Sequence, residues 1–247
     1  MNLSDKTVLI TGGSTGIGLA IAERFLKAGS EVIICGRRED KLQKAKEDHP
    51  SLHTFVCDVG DEWDRIALFE WATEKFPKIN VLITNAGIQL RTNLTATTTP
   101  WSELRQELSI NLDGTMHLAI LFIPHLQKVK DAHIVTVSSG LAFAPGAFAP
   151  IYSATKAAIH SFTMSLRHQL SKSTSIKVIE IVPPAVQTDL GGPGLHTFGV
   201  PLDEFTDSIM KDIEKGQLEV GYGFSEKTRN ASRQELDTIF KDLNSRM

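Results

Sequence analysis

The sequence of 247 residues predicts an α/β chain built on a doubly wound, seven-stranded parallel sheet with helices on both faces. Three observations predict it. Short β-branched runs, apolar on both faces, alternate with segments of helical period. A glycine-rich turn joins the first run directly to the first helix. No linker, low-complexity tract or internal repeat interrupts the alternation, so residues 1–247 are expected as a single domain.

The elements follow in order. TVLIT near Thr7 is the first strand and feeds a helix from Gly16 to Ala28. EVIICG near Glu31 precedes a helix from Glu39 to Asp48, and LHTFVCDV near Leu52 precedes one from Glu62 to Phe76. INVLITNAG near Ile79 leads to a long helix from Trp101 to Val129, AHIVTVSS near Ala132 to one from Tyr152 to Lys172, and IKVIEIVPP near Ile176 closes the regular part. Strand, helix, strand repeated this often implies right-handed crossovers. Beyond Pro184 come a Gly- and Pro-rich stretch from Gly191 to Pro201, a helix near Leu202 to Lys215, a short strand at Leu218 to Gly221 and a polar terminal helix. Residues 189–215 are expected to form a mobile substrate lid.

Composition narrows the function classes. With 41% apolar and 22% charged residues and a net charge of −3, no basic excess points to nucleic acid or an anionic membrane. No apolar run reaches the length of a membrane span, and the start lacks a secretory signal. Cys35 and Cys57 sit in apolar runs without metal-ligand spacing and read as reduced core thiols, so no metal is expected and the compartment is cytoplasmic. The terminal Ser245-Arg246-Met247 is a loose variant of a peroxisomal address, for which a frayed polar end is the preferred reading.

The chemistry starts at Thr11-Gly12-Gly13-Ser14-Thr15-Gly16-Ile17-Gly18, between the first strand and its helix. Glycine permits a tight turn and a close backbone approach to pyrophosphate, and the helix N-terminus favours the negative charge; Gly12, Ser14, Thr15, Gly16, Ile17 and Gly18 are the candidate contacts. The second strand ends Gly36-Arg37-Arg38, with no carboxylate to hold a ribose diol and with two guanidinium groups suited to a 2′-phosphate, so NADP(H) is the expected cofactor. Tyr152 and Lys156 stand four apart, on one face of a helix. A phenol needs a nearby cation to work as an acid/base near neutrality.

With its T-G-x-x-x-G-x-G loop and Y-x-x-x-K pair, the chain resembles the short-chain dehydrogenase/reductase family over nearly its whole length, in the small single-domain Rossmann branch near the DltE-like oxidoreductases. The resemblance implies a catalytic tetrad of Asn111, Ser139, Tyr152 and Lys156. Tyr152 would be the proton donor, Ser139 would bond the substrate oxygen, Lys156 would also hold the nicotinamide ribose, and Asn111 would hold a water that resupplies the proton. It further implies cofactor contacts at Asp58 and Val59 for the adenine, Asn85, Ala86 and Gly87 along the cleft, and Pro183, Val186 and Thr188 around the carboxamide. Pro184 departs from the family's Pro-Gly and stiffens that loop.

The implied activity is hydride transfer between the nicotinamide and a carbonyl or secondary alcohol. The pocket wall expected from Leu141, Phe143, Pro145, Phe148, Ile151, Ile88, Leu90, Leu195, His196 and Phe198 suits a small, largely apolar substrate, with His196 as an exposed lid residue. The alternative is an NADP(H)-binding redox sensor without turnover. Apolar side chains on the two long helices imply a homodimer or homotetramer.

Overall fold

The computed structural model describes residues 1–245, so the last two residues of the Ser245-Arg246-Met247 signal lie outside the described residues. Seven strands, β1 (Thr7–Thr11), β2 (Glu31–Gly36), β3 (His53–Val56), β4 (Val81–Thr84), β5 (His133–Val137), β6 (Lys177–Val182) and β7 (Glu219–Gly221), form one sheet in the order β3-β2-β1-β4-β5-β6-β7. Every neighbouring pair is parallel. The helices are α1 (Gly16–Lys27), α2 (Glu39–Asp48), α3 (Glu62–Lys75), α4 (Trp101–Leu104), α5 (Gly114–Leu126), α6 (Pro150–Ser173), α7 (Leu202–Glu214), α8 (Phe224–Arg229) and α9 (Arg233–Asn244).

The period-two alternation of a strand explains why both faces are covered. Val8, Ile10, Val32, Ile34, Val81 and Ile83 point into one layer, packed under α1, α2 and α7. Leu9, Ile33, Leu82 and Ile134 point into the other, under α3, α5 and α6. This is the doubly wound, Rossmann-like arrangement that the sequence predicts. Chain order reverses between β1 and β4, and such a reversal leaves a crevice beyond the carboxyl ends of the strands.

Two expectations change. The long helix expected from Trp101 to Val129 is broken: α4 ends at Leu104, residues Leu108–Asp113 form a π-helical turn and α5 begins at Gly114. A Cβ on Gly114 would lie 2.8 Å from the Val59 carbonyl, so the backbone passes the end of β3 too closely for any side chain. The expected lid over 189–215 divides in two. Residues 189–200 are irregular, whereas α7 buries Phe205, Ile209, Met210 and Ile213 in the core and its Asp203 and Asp207 pair with Arg24 of α1 at 2.7 and 2.9 Å. Among the described residues, no helix is long and apolar enough to cross a membrane.

Candidate active site

A cleft of ≈ 1230 Å³ is lined by the residues that follow β1 through β6. At its β1 end, Gly12 adopts φ +64° and a Cβ there would meet Ala86 Cα at 2.8 Å. Thr11 Oγ1 accepts from Asn85 N and Ala86 N, each at 3.0 Å, and Asn85 Nδ2 donates to the carbonyls of Thr11 and Gly12 at 3.0 and 3.2 Å. The side chain of Asn85 thus ties the β4 loop to the glycine loop. Gly12, Ser14, Thr15, Gly16 and Ile17 line the cleft, but Gly18 does not: its place is against the Gly12 carbonyl, which a Cβ would meet at 2.4 Å.

Thr15, at the N-cap of α1, makes no side-chain cap bond, and the first turn holds no acid. Open amide donors at the positive end of a helix suit a pyrophosphate, so the loop fits a dinucleotide. Arg37 and Arg38 flank the far end, Arg37 at 3.6 Å from Asp58 and Arg38 donating to Thr15 Oγ1 at 3.1 Å. Asp58 itself accepts from Gly60 N at 2.9 Å, while its own N–H donates at 2.7 Å to Asp64, in the first turn of α3. Val59, Ala86, Gly87, Pro183, Val186 and Thr188 complete this wall. Pro183 accepts from Gly140 N at 2.9 Å, and Val186 is bridged to Val200, which fixes the base of the 189–200 segment.

At the opposite wall, α6 presents Tyr152 and Lys156 into the cleft beside Ser139, which follows β5. The Lys156 ammonium lies 5.6 Å from the centre of the Tyr152 ring and donates to the Val137 carbonyl at 2.8 Å. Burial pushes the Tyr152 phenol up to about 12, opposed by its bond with Ser139 and assisted by the charge of Glu107. Burial also pulls Lys156 down to about 8, against the pull of the Glu180 carboxylate. The sequence suggests that Lys156 lowers the phenol; here burial outweighs any such effect. Ser138 and Ser139 bond differently: Ser138 donates to Glu180 Oε1 at 2.5 Å, whereas Ser139 bonds the Tyr152 phenol.

Asn111 is fully buried in the π-helical turn and does not line the cleft. Its Oδ1 accepts from Ile88 N at 2.8 Å, and its Nδ2 donates to Ile88 O at 2.9 Å and to Thr155 Oγ1 at 3.2 Å. It stands behind Gly87, where a Cβ would lie 3.3 Å from Asn111 Oδ1 and 3.6 Å from Lys156 Nζ. One turn earlier, buried Glu107 accepts from Leu90 N at 2.8 Å through Oε1 while Oε2 has no partner, and burial raises its carboxyl to about 7.

The short chain dehydrogenase family profile matches residues 6–195. The chain belongs to the short-chain dehydrogenase family. It is 44% identical over 250 residues, 99% of either chain, to the uncharacterized oxidoreductase DltE of Bacillus subtilis. It is 32% identical to an uncharacterized oxidoreductase of Staphylococcus saprophyticus over 78% of this chain and 83% of that one. Among solved structures, a 3-ketoacyl-(acyl-carrier-protein) reductase from Brucella melitensis complexed with NADH matches with a TM-score of 0.71 at 29% identity, over 76% of this chain and 79% of that one. The short-chain dehydrogenase fold and the DltE-like branch are thus shown.

The substrate end of this short-chain dehydrogenase differs from its expected wall. Ile88, Leu141, Phe148, His196 and Phe198 line the cleft, whereas Phe143, Pro145, Ile151, Leu90 and Leu195 do not. Phe143 instead stacks on His160 with ring centres 4.5 Å apart. His196 is buried, contrary to its expected exposure, because the irregular segment folds it inward. Gln89, Arg91, Phe224 and Leu243 also line the cleft and were not foreseen. Leu243 comes from α9, whose Asn244 accepts from Ala147 N at 2.7 Å and donates to Pro145 O at 3.0 Å, a long-range closure that no local pattern announces. His160, Glu180 and Glu219 converge behind α6, but their bonds to one another, to Ser138 and to Arg229 account for the cluster.

Proposed function

We propose that the chain is an NADP(H)-dependent oxidoreductase that moves a hydride between the nicotinamide and the carbonyl or secondary alcohol carbon of a small, largely apolar substrate. The convergence of Ser139, Tyr152 and Lys156 on one wall of the cleft carries this reading. Residues Gly12, Ser14, Thr15, Gly16, Ile17, Asp58, Val59, Asn85, Ala86, Gly87, Pro183, Val186 and Thr188 hold the dinucleotide, and Arg37 with Arg38 takes the 2′-phosphate. The bound nicotinamide supplies or accepts the hydride.

The chain's own residues manage the proton. Burial keeps the Tyr152 phenol protonated at neutral pH, the form that can donate to a developing alkoxide in the reductive direction. Ser139 donates a hydrogen bond to the same oxygen. Lys156, charged below about 8, holds positive charge beside the phenol as it gives up its proton. Asn111 keeps the Ile88 segment in place and stands on the route by which the proton is resupplied. The reduced core cysteines fit a cytoplasmic enzyme.

A panel of ketones and aldehydes with NADPH, followed at the nicotinamide absorbance, tests the proposal. Turnover of an apolar ketone supports it. Silence across the panel with intact NADPH binding favours the redox sensor.

A further inference from the structure

The substrate end of the cleft holds polar groups that the hydride chemistry leaves unused. Gln89 and His196 are 4% and 8% exposed, yet Gln89 Oε1 and His196 Nδ1 have no hydrogen-bond partner. Buried polar atoms are nearly always satisfied, so two orphans lining one cavity point to a ligand that satisfies them. The Arg91 guanidinium, on an exposed residue, lines the same cleft 5.2 Å above the Phe148 ring, with no carboxylate oxygen of the described residues within 4.0 Å. Thr92 N donates to Phe148 O at 3.1 Å, which holds Arg91 against the loop that runs through Pro150 into Tyr152. Burial and the charge of Arg91 keep the His196 imidazole below its usual range, against a bond to the Leu190 backbone, so Arg91 acts on the field at His196 while Nδ1 stays without a partner.

Resting on the oxidoreductase reading, we propose that Arg91, Gln89 and His196 bind a carboxylate on the substrate, which is therefore an oxo or hydroxy acid with an apolar body. A guanidinium presents parallel donors that match a carboxylate, the Gln89 amide can turn its N–H₂ toward the same group, and a neutral imidazole can donate through Nδ1. One cation among neutral donors balances one negative charge, which favours a carboxylate over a phosphate monoester. Asp189, the carboxylate of the neighbouring lid segment, is exposed and leaves Arg91 unpaired. Leu141, Phe148, Phe198 and Phe224 provide the apolar surface for the body.

The test pairs levulinate and its longer oxo-acid homologues with their methyl esters, as substrates of the wild type, Arg91→Met and Arg91→Lys in the presence of NADPH. Hexanoate binding to the protein saturated with NADP⁺, measured by calorimetry, reads the same site without turnover. The expected result is an acid preferred to its ester by about tenfold or more in kcat/KM, as a charge-assisted bond provides. That preference disappears in Arg91→Met and is partly kept in Arg91→Lys, because acid turnover falls by about tenfold or more relative to ester turnover. Equal kcat/KM for acid and ester, or an equal loss on both in Arg91→Met, overturns the proposal. Hexanoate bound through Arg91 without turnover of any ketone keeps the carboxylate site and removes the oxidoreductase reading. Hexanoate affinity unchanged in Arg91→Met overturns the carboxylate site alone.

Discussion

Tyr152 and Lys156 stand on one face of α6, with the ammonium 5.6 Å from the ring centre, and the same burial drives their ionisations apart, the phenol up to about 12 and the ammonium down to about 8. Lys156 is charged below about 8 and Tyr152 donates only while protonated, so the limb that matters on the alkaline side belongs to Lys156. The rate of carbonyl reduction should be flat near neutrality and fall as pH rises through about 8. A kcat/KM profile from pH 6 to 10 at saturating NADPH checks this. Tyr152→Phe should lower kcat by roughly 10²–10⁴ while NADPH still binds, because only the proton donor is lost; activity above about a tenth of wild type contradicts the assignment.

Cofactor choice should turn on Gly36 and Arg37. A Cβ on Gly36 would lie 3.4 Å from Ser14 Oγ, an ordinary contact, so a carboxylate can be introduced there without strain. Wild-type protein is expected to bind NADPH roughly ten- to a hundredfold more tightly than NADH, the ratio expected of one charge-assisted bond. Gly36→Asp combined with Arg37→Ile should invert the order. Because Arg37 is half exposed, the preference should shrink as salt is added, which fluorescence titration at two ionic strengths can read.

Replacement of Asn111 should damage stability as well as rate. Its amide makes three bonds inside a fully buried site. Asn111→Leu leaves the Ile88 amide and carbonyl unpaired, at a cost of about 1–3 kcal/mol for each buried group. Thermal unfolding should show a drop of several degrees, and kcat should fall through displacement of Gly87 and Lys156. Unchanged melting with lost activity would instead assign Asn111 to the proton route alone.

Glu107 should make the fold sensitive to pH. Its carboxyl is raised from the ordinary 4.5 to about 7 by burial, so the folded state holds a proton that the unfolded chain releases. The stability it contributes is present below about 4.5 and is lost as pH rises from there through about 7. Glu107→Gln keeps the acceptor for Leu90 N and removes the titration. Its melting temperature should gain on wild type between pH 5 and pH 7.5, and a constant difference across that interval excludes the effect.

Self-association should run through α5 and α6. Ile120 and Met164 are 58% and 54% exposed on these helices, with Leu121 and Phe162 partly buried beside them, whereas Leu118, Phe122 and Ile159 are already spent in the core. Light scattering is expected to give a dimer or tetramer, and Ile120→Glu with Met164→Glu a monomer.

The fold and the site were legible to different depths. The short runs TVLIT, EVIICG and VLIT, apolar on both faces, show the parallel sheet because a strand covered on both sides must be apolar at every position, and the glycine loop is legible because its backbone conformation demands those residues. The π-helical turn around Asn111 was not, since it ends where Gly114 packs against Val59, residues far apart in the chain. Tyr152 and Lys156 follow from spacing and Ser139 from the family resemblance, but Phe143 turning to His160 and His196 folding inward depend on loop paths that composition does not encode. Arg91 carried no signal beyond its place after Leu90.

The bridge between Val186 and Val200 pinches the chain at both ends of the irregular segment that lines the cleft, and Gln187 N and Val200 N add hydrogen bonds at 2.9 Å across the neck. A loop whose ends are already stapled together pays its closure entropy once, at the neck, whatever its interior reads. Residues 189–198 should therefore tolerate exchange or lengthening with little effect on β6 or α7, so changes in this segment are expected to alter what the cleft accepts before they alter the fold.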